Sequence, residues 1–201
     1  MEDFQSRVTL VQDVRNTFYI RLCRPITEID DFAEELQALM AASEQDTVHL
    51  EIVSPGGSID TCIMIRRALS QCKAKTIAWI GPTCASAATA IALGCDEWEI
   101  DDMSSFMVHT GSFAPGWGKA RDVEAATLHN VRQIERFLRT VYKGFLTEDE
   151  MHRVLEGKEM YIDGDDLATR LQSFAEQRSA DAMELYSTLL AEGVDEEPEE
   201  D

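Results

Sequence analysis

The chain has 201 residues, of which 44% are hydrophobic, and this is enough for one compact α/β domain with a sizeable core. Its 38 acidic residues outnumber its 18 basic residues and give a formal charge of −20. Such a charge disfavours binding to nucleic acid or to anionic membranes, because phosphate binding depends on lysine and arginine. No apolar run is long enough to span a bilayer.

The N-terminus and the cysteines predict a soluble protein of the cytoplasm. The opening "MEDFQSRVTL" has no basic segment leading into an apolar one, so we expect no signal peptide. The five cysteines are an odd number without CxxC spacing, which favours buried, reduced thiols over a zinc site or disulfides. They are Cys23, Cys62, Cys72, Cys84 and Cys95. We therefore expect neither a metal nor a cofactor.

Short apolar strands alternate with helical segments in the first half of the chain. Each strand is recognised by β-branched or aromatic residues, and each helix by apolar residues at helical spacing. The predicted elements are, in order, the strand "RNTFYIRLCRPI", a helix following Thr27, the strand "TVHLEIVS", a helix over residues 58–72, the strand "TIAWIG", a helix beginning at Ser86, and the strands "EWEI" and "SSFMVHT". This alternation predicts an α/β domain with helices packed on a sheet.

The second half is mainly helical. A glycine-rich loop, "TGSFAPGWGKA", precedes a predicted helix over residues 119–143, and Thr147 with Glu150 fits a capping box that opens another helix. The apolar face of the long helix consists of Leu128, Val131, Ile134, Leu138 and Val141. The strand "KEMYI" and the helix "DDLATRL" complete a domain predicted over residues 1–174. An added amphipathic helix is predicted over 175–192, and a disordered acidic tail over 193–201.

One hydroxyl, Ser86, lies in the small and apolar stretch "GPTCASAATAIALGCDE". A serine at the start of a helix is commonly an N-cap, and this segment alone favours that interpretation. A nucleophilic serine would instead need a nearby base, a group that orients the base, and donors for an oxyanion. The segment alone cannot choose between these two roles.

The sequence "SPGG" at residues 54–57 strengthens the nucleophile hypothesis. Its glycines end a buried strand, where a backbone can approach a ligand with exposed N–H groups, although an ordinary Pro-Gly turn is the simpler alternative. If this strand end and the Ser86 strand end face one cleft, Gly57 and Ala87 can each supply an N–H group. Together they would form an oxyanion hole.

His109 is the best placed of the four histidines to act as the base. It ends the strand "SSFMVH" and precedes a glycine-rich loop, whereas His49 lies within a strand and His129 and His152 lie on predicted helices. Glu159 begins a later strand and is a candidate for the orienting acid. With 38 acidic residues in the chain, composition cannot single it out.

These residues resemble the Clp protease proteolytic subunits, from about Pro25 to Leu171. The motifs "RPITE", "SPGGSI", "ASAAT", "FMVHTGSF" and "KEMYIDGDDLA" follow the family's order. The phage-type branch, which is associated with head maturation, is the most similar. The resemblance implies a Clp protease/crotonase-like α/β fold of repeated strand–turn–helix units with a protruding handle helix. It also implies a triad of Ser86, His109 and Glu159, with Gly57 and Ala87 as the oxyanion hole.

Three positions keep alternatives open. Counting forward from Gly81 in the manner of the bacterial housekeeping subunits puts the nucleophile at Ala85, whereas counting back from His109 puts it at Ser86. Ala85 has no suitable side chain, so we favour Ser86. Cys84 is an alternative nucleophile, and Asp163 is the next acid to consider for the third triad position.

The resemblance further implies a serine endopeptidase that forms self-compartmentalised rings, commonly stacked in pairs, and acts on polypeptides. Any ATP-dependent unfoldase would be a separate chain, because the phosphate-binding pattern GxxxxGK[ST] is absent. The expected location is the bacterial cytoplasm, with a phage as a further source of the gene. Two alternatives share the fold: a catalytically inactive ring-forming subunit, and an acyl-CoA enzyme of the crotonase type.

Overall fold

A computed structural model describes residues 15–192, with the backbone alone for residues 190–192. Within that range the chain forms a six-stranded sheet and six α-helices. The strands are β1 (Thr17–Leu22), β2 (Thr47–Ser54), β3 (Lys75–Ala85), β4 (Glu97–Ile100), β5 (Ser105–Val108) and β6 (Met160–Asp163). The helices are α1 (Ala33–Ala41), α2 (Ile59–Gln71), α3 (Ala87–Ala92), α4 (Ala120–Val141), α5 (Glu148–Leu155) and α6 (Gly164–Glu192), and a 3₁₀ turn (Ile29–Phe32) precedes α1.

The sheet has the order β1-β2-β3-β5-β6, and β4 also pairs with β3. All pairs are parallel except that of β5 with β6. The long strand β3 has two partners on one side, because Ile77–Ile80 pair with β4 whereas Cys84 and Ala85 pair with β5. The carboxyl ends of β2, β3 and β5 therefore meet at one edge of the sheet, where ligands of open α/β sheets commonly bind. The predicted α/β fold is confirmed.

The hydrophobic core lies on one face of this sheet. Along β2, Val48, Leu50 and Ile52 are buried, and the residues between them are half-buried. The period of two is the one expected for a strand with its two faces in different surroundings. On the opposite face, the His49 ring stacks on that of Tyr19 at a centroid distance of 5.3 Å. His49 lies near the amino end of β2, away from the carboxyl end that precedes the glycine turn.

The C-terminal helix differs from the sequence prediction. The segments "DDLATRL" and 175–192, predicted as two helices, form the single helix α6. Between Asp165 and Glu192 there is neither proline nor glycine, so nothing in the sequence ends the helix. Its last buried side chain is Phe174, and beyond it Tyr186 and Leu189 are exposed. The predicted acidic tail, 193–201, lies outside the described residues.

Burial of the cysteines follows the prediction only in part. All five thiols are free; Cys62, Cys84 and Cys95 are buried as expected, but Cys72 is half-buried and Cys23 is exposed. The prediction was wrong for Cys23, because that residue follows the last residue of β1, where the chain leaves the core. Between residues 15 and 192, no helix combines the length and the apolar character needed to cross a membrane.

Candidate active site

Ser86 occupies a tight turn between β3 and α3. Its backbone angles are φ 56° and ψ −126°, and among the described residues it is the one non-glycine with a positive φ. Its N–H donates a hydrogen bond of 2.8 Å to the Met107 carbonyl of β5, which attaches the turn to the sheet. Residues with a Cβ atom avoid this conformation, and such strain is concentrated at functional sites. The turn has the strand-to-helix geometry in which hydrolases expose a nucleophile.

The capping interpretation of Ser86 is wrong. Ser86 holds the N-cap position of α3, but its hydroxyl makes no capping hydrogen bond. Elsewhere the chain does use such bonds, because the Ser58 side chain accepts from the Thr61 N–H at the start of α2. The capping box predicted at Thr147 and Glu150 is likewise confirmed at the start of α5. The Ser86 hydroxyl is therefore free for another role.

The glycine turn after β2 contacts the Ser86 turn directly. Gly56 has a φ of +86°, and a Cβ built on it would lie 2.5 Å from the Ala85 carbonyl oxygen and 2.7 Å from the Ser86 Cβ. Such distances exclude any side chain at this position. The Ser54 hydroxyl fixes the turn, since it accepts from the Gly56 N–H at 3.1 Å and donates to the Arg24 carbonyl at 2.7 Å. The strand ends of β2 and β3 thus face one cleft, as the sequence predicted.

Ser86 and His109 line the same cavity, which has a volume of about 580 Å³. His109 follows directly after β5 and is half-buried. Neither the Ser86 hydroxyl nor the His109 ring forms a hydrogen bond with another described residue. Hydrogen bonds between catalytic groups are often long before substrate binds and shorten in the reacting complex. Both groups are therefore available to a substrate in this cavity.

Gly57 and Ala87 line the same cavity. A parallel bridge joins Gly57 to Ile26. The Ile26 N–H donates to the Gly56 carbonyl at 2.9 Å, and the Ser58 N–H donates to the Ile26 carbonyl at 2.7 Å. The Gly57 N–H has no acceptor among the described residues. Ala87 begins α3, where backbone N–H groups lack an intrahelical acceptor. Two backbone donors are therefore present beside Ser86.

One known protein family matches most of the chain in sequence. The sequence model of the Clp protease family matches residues 4–161, which is well over half of the chain. The chain belongs to the Clp protease family. A comparison with curated proteins gave no match.

Membership of the Clp protease family implies a peptidase, and the Clp protease fold agrees with the mixed, mostly parallel sheet described above. The match begins earlier and ends earlier than the resemblance found in the sequence, and it includes Ser86, His109 and Glu159. It identifies the family without distinguishing its branches, so the phage-type assignment stays a prediction. The last 40 residues, which include all of α6, lie outside the match.

Glu159 is not one of the residues that line the Ser86 cavity. Its carboxylate is exposed and accepts a hydrogen bond of 2.8 Å from the Tyr161 hydroxyl. Its backbone, however, lies near that of His109, because the ladder between β5 and β6 ends at the pair Val108 and Met160. Glu159 and His109 are the next residues beyond that pair. Asp163 pairs with Ser105 at the opposite end of the ladder.

The alternative nucleophiles have unsuitable surroundings. Cys84 is completely buried, and this burial raises the pKa of its thiol well above the usual value. A thiol in such a place is not ionised and not accessible. Ala85 is a buried residue of β3. The turn geometry therefore favours Ser86 over both neighbours.

Two further residues beside Ser86 were not found from the sequence. The Thr89 hydroxyl donates to the Ser86 carbonyl at 2.6 Å and lies 2.6 Å from the hydroxyl of Tyr142. Tyr142 is buried, which raises the pKa of its phenol, and it lines the cavity. Thr89 and Tyr142 are 53 residues apart, so no local pattern links them. Among the described residues, no cluster of three histidine, cysteine or carboxylate side chains could hold a metal ion.

Proposed function

We propose that the protein is a serine endopeptidase with Ser86 as its nucleophile. The observation that carries this proposal is the strained turn that presents Ser86 to the cavity lined by His109. The Ser86 hydroxyl neither caps the helix nor bonds to another described residue. The strain therefore does not serve a structural hydrogen bond of this hydroxyl. The family match supplies independent support for peptidase chemistry.

The proposed reaction follows from the positions of the side chains. The Ser86 Oγ attacks the peptide carbonyl carbon while His109 takes its proton, and the new oxyanion accepts hydrogen bonds from Gly57 and Ala87. Collapse of this intermediate breaks the C–N bond, and His109 gives the proton to the leaving amine. Water then attacks the acyl-enzyme by the same route and regenerates the Ser86 hydroxyl.

Glu159 is the proposed third member of the triad. An acid in this role keeps the imidazole in the correct tautomer and stabilises the imidazolium. Support comes from the strand ladder, in which Glu159 and His109 both follow the last paired residues. To act on His109, the Glu159 carboxylate must accept a hydrogen bond from the imidazole N–H, in addition to or in place of the bond from the Tyr161 hydroxyl. Asp163, at the far end of the ladder, is disfavoured for this role.

We further propose that the subunits assemble into rings that enclose the active sites and receive polypeptides. The middle of α4 supports this proposal, because Leu128 and Val131 are exposed although they continue the apolar face of Leu138 and Val141. Exposed apolar surface of this kind is typical of interaction sites. The sequence contains no phosphate-binding pattern GxxxxGK[ST], so under this proposal any ATP-dependent unfoldase is a separate chain.

An inactive ring-forming subunit is the second candidate function. The observation in its favour is the hydrogen bond that directs the Glu159 carboxylate to Tyr161 and away from the cavity. Under this hypothesis the strained Ser86 turn would be retained without catalysis.

Labelling with a fluorophosphonate probe tests the proposed function. We expect the probe to modify Ser86, as mapped by mass spectrometry, and we expect no labelling of the Ser86→Ala and His109→Ala variants. Ser112→Ala is the matched control, because Ser112 lines the same cavity without a proposed role. Absence of labelling in a folded, assembled protein would favour the inactive subunit.

The same assay tests the third member of the triad. Glu159→Gln should lower the labelling rate by on the order of 10³-fold, as expected when the group that orients the base is neutralised. Asp163→Asn should leave the rate unchanged. The reverse result would assign the role to Asp163.

A further inference from the structure

A second cavity opens beside the Ser86 cavity, between α2 and α4. Its volume is about 740 Å³. It shares five lining residues with the first cavity, so the two cavities are adjacent. The shared residues are Ile59, Asp60, Ser112, Ile134 and Phe137. A polypeptide held at Ser86 can therefore extend one of its side chains into the second cavity.

The charges of the second cavity are opposite to those of the chain as a whole. Arg66, Arg136 and His129 line it, and Asp60 is its one carboxylate. The whole chain has 38 acidic residues and 18 basic ones. His129 and Arg136 are separated by two helical turns, so both face α2 from the same side of α4. The cavity is thus a cationic site on an acidic protein.

Arg66 is a half-buried cation without a carboxylate partner among the described residues. One of its N–H groups donates to the Ala90 carbonyl, which leaves other donors of the guanidinium free. Burial lowers the pKa of Arg66, and the groups that act on it electrostatically include neutral Cys62 and Tyr142 and the cation Arg178, but no carboxylate. Arginine nevertheless stays protonated in proteins. Because buried charges are normally paired, this site favours an external anion.

Arg136 supplies a second cation without an ion pair in the described structure. The neighbouring arginine of α4, Arg139, is paired with Glu135 at 3.0 Å and with Glu148 at 3.5 Å. Arg136 instead lines the cavity with its side chain exposed. The two arginines of the cavity come from facing helices, so a carboxylate between them can accept hydrogen bonds from both sides.

We propose that the second cavity is a subsite for an acidic side chain of the substrate polypeptide, close to the bond that is cleaved. This inference rests on the proposed function, which supplies the polypeptide at Ser86. Apolar lining residues, Ile63, Phe113 and Val141, suit the methylene groups that carry the carboxylate. The charge of −20 repels highly acidic chains, so the subsite selects a single acidic residue in an otherwise neutral segment.

A binding measurement on the full-length Ser86→Ala protein tests the proposal without requiring catalysis. The probes are fluorescent peptides of neutral residues in which one glutamate is moved along the sequence, each with a glutamine-containing match. Fluorescence anisotropy gives the two dissociation constants. At one peptide position we expect the glutamate peptide to bind roughly 10-fold more tightly, as is typical of a charge-assisted hydrogen bond. Added salt should reduce this ratio.

Three further substitutions in the Ser86→Ala background identify the cations responsible. Arg66→Met and Arg136→Gln should each bring the ratio of the two dissociation constants close to one. Arg67→Met is the matched control, because Arg67 lies on the same helix, is exposed and lines neither cavity. Arg136 is exposed, so its variant remains informative if Arg66→Met fails to fold.

The outcomes separate this proposal from the proposed function. Equal binding of glutamate and glutamine peptides at every position overturns the subsite, even if the probe labels Ser86. A glutamate preference that survives both Arg66→Met and Arg136→Gln also overturns it. A preference that depends on both arginines, in a protein whose Ser86 the probe does not label, upholds the subsite and rejects the peptidase activity.

Discussion

Replacement of Ser86 by glycine should stabilise the protein while removing the proposed nucleophile. At φ 56° and ψ −126°, a residue with a Cβ atom is strained, whereas glycine adopts this region readily. The matched comparison is Ser86→Ala, which retains the Cβ atom and the strain. Since the Ser86 hydroxyl makes no capping bond, the alanine variant should be about as stable as the native protein.

The expected size of the effect follows from two opposing terms. Relief of the strained conformation contributes about 1 to 3 kcal/mol to the free energy of unfolding. The greater freedom of glycine in the unfolded chain removes about 0.5 to 1 kcal/mol. The glycine variant should therefore exceed the alanine variant by about 1 kcal/mol. For a chain of this size this corresponds to a rise in Tm of about 2 to 4 °C.

Urea unfolding followed by circular dichroism measures this difference, with both variants at the same protein concentration so that assembly contributes equally. The midpoint should rise in Ser86→Gly without a change in slope. A glycine variant no more stable than the alanine variant would refute the inference that Ser86 is strained. The Ser86 turn would then no longer stand out as one kept for function at a cost in stability.

Four other predictions concern the surroundings of the site, an ion pair between α5 and α6, and the assembly of the chain. Gly56→Ala should abolish fluorophosphonate labelling, because the added Cβ would lie 2.5 Å from a backbone oxygen, whereas Gly116→Ala meets nothing within 4 Å and should label normally. Tyr142→Phe removes a 2.6 Å hydrogen bond to the Thr89 hydroxyl, so the free energy of unfolding should fall by about 1 kcal/mol. Labelling of Ser86 should also slow in this variant. An unchanged labelling rate would exclude a positioning role for Tyr142. Hydrogen bonds from Arg170 lower the pKa of Glu150 from 4.5 to about 2. The ionised Glu150 carboxylate therefore stabilises the folded protein fully above about pH 4.5, and this stabilisation is lost as the pH falls towards 2. Glu150→Gln should accordingly be about 1 to 3 kcal/mol less stable at pH 7, and a difference that persists at pH 2 would contradict this assignment. Since the chain carries a charge of −20, sedimentation should show larger assemblies at high salt than at low salt, and equal sizes would contradict the screening argument.

The sequence predicted the elements of the fold well where periodic patterns were strong. The alternation in β2 and the capping box at Thr147 both appear in the structure as expected. The division of α6 into two helices was wrong, because a change in composition near residue 174 does not end a helix that has neither glycine nor proline after its first residue. Composition indicated where burial stops but not where the helix stops.

The candidate site was predictable as far as its residues follow strand ends. Ser86, Gly57 and His109 each come after a buried strand, and topology brings the ends of parallel strands to one edge. The direction of the Glu159 side chain was not predictable, since its carboxylate accepts a hydrogen bond from the Tyr161 hydroxyl two residues away. The Thr89 and Tyr142 contact could not be predicted either, because it joins distant parts of the chain.

The strain at Ser86 is sustained by several elements at once. The N–H of Ser86 is held by β5, its carbonyl by Thr89, and its Cβ is in close contact with Gly56 from the end of β2. A strained residue persists only when its surroundings fix it from several sides. Ala85 cannot take the place of Ser86 in this turn, because Ala85 is still paired with Met107 as part of β3. The position of the strained Ser86 turn is therefore determined by where the strand ends and not by the local small-residue motif, which is compatible with either register of the proposed nucleophile.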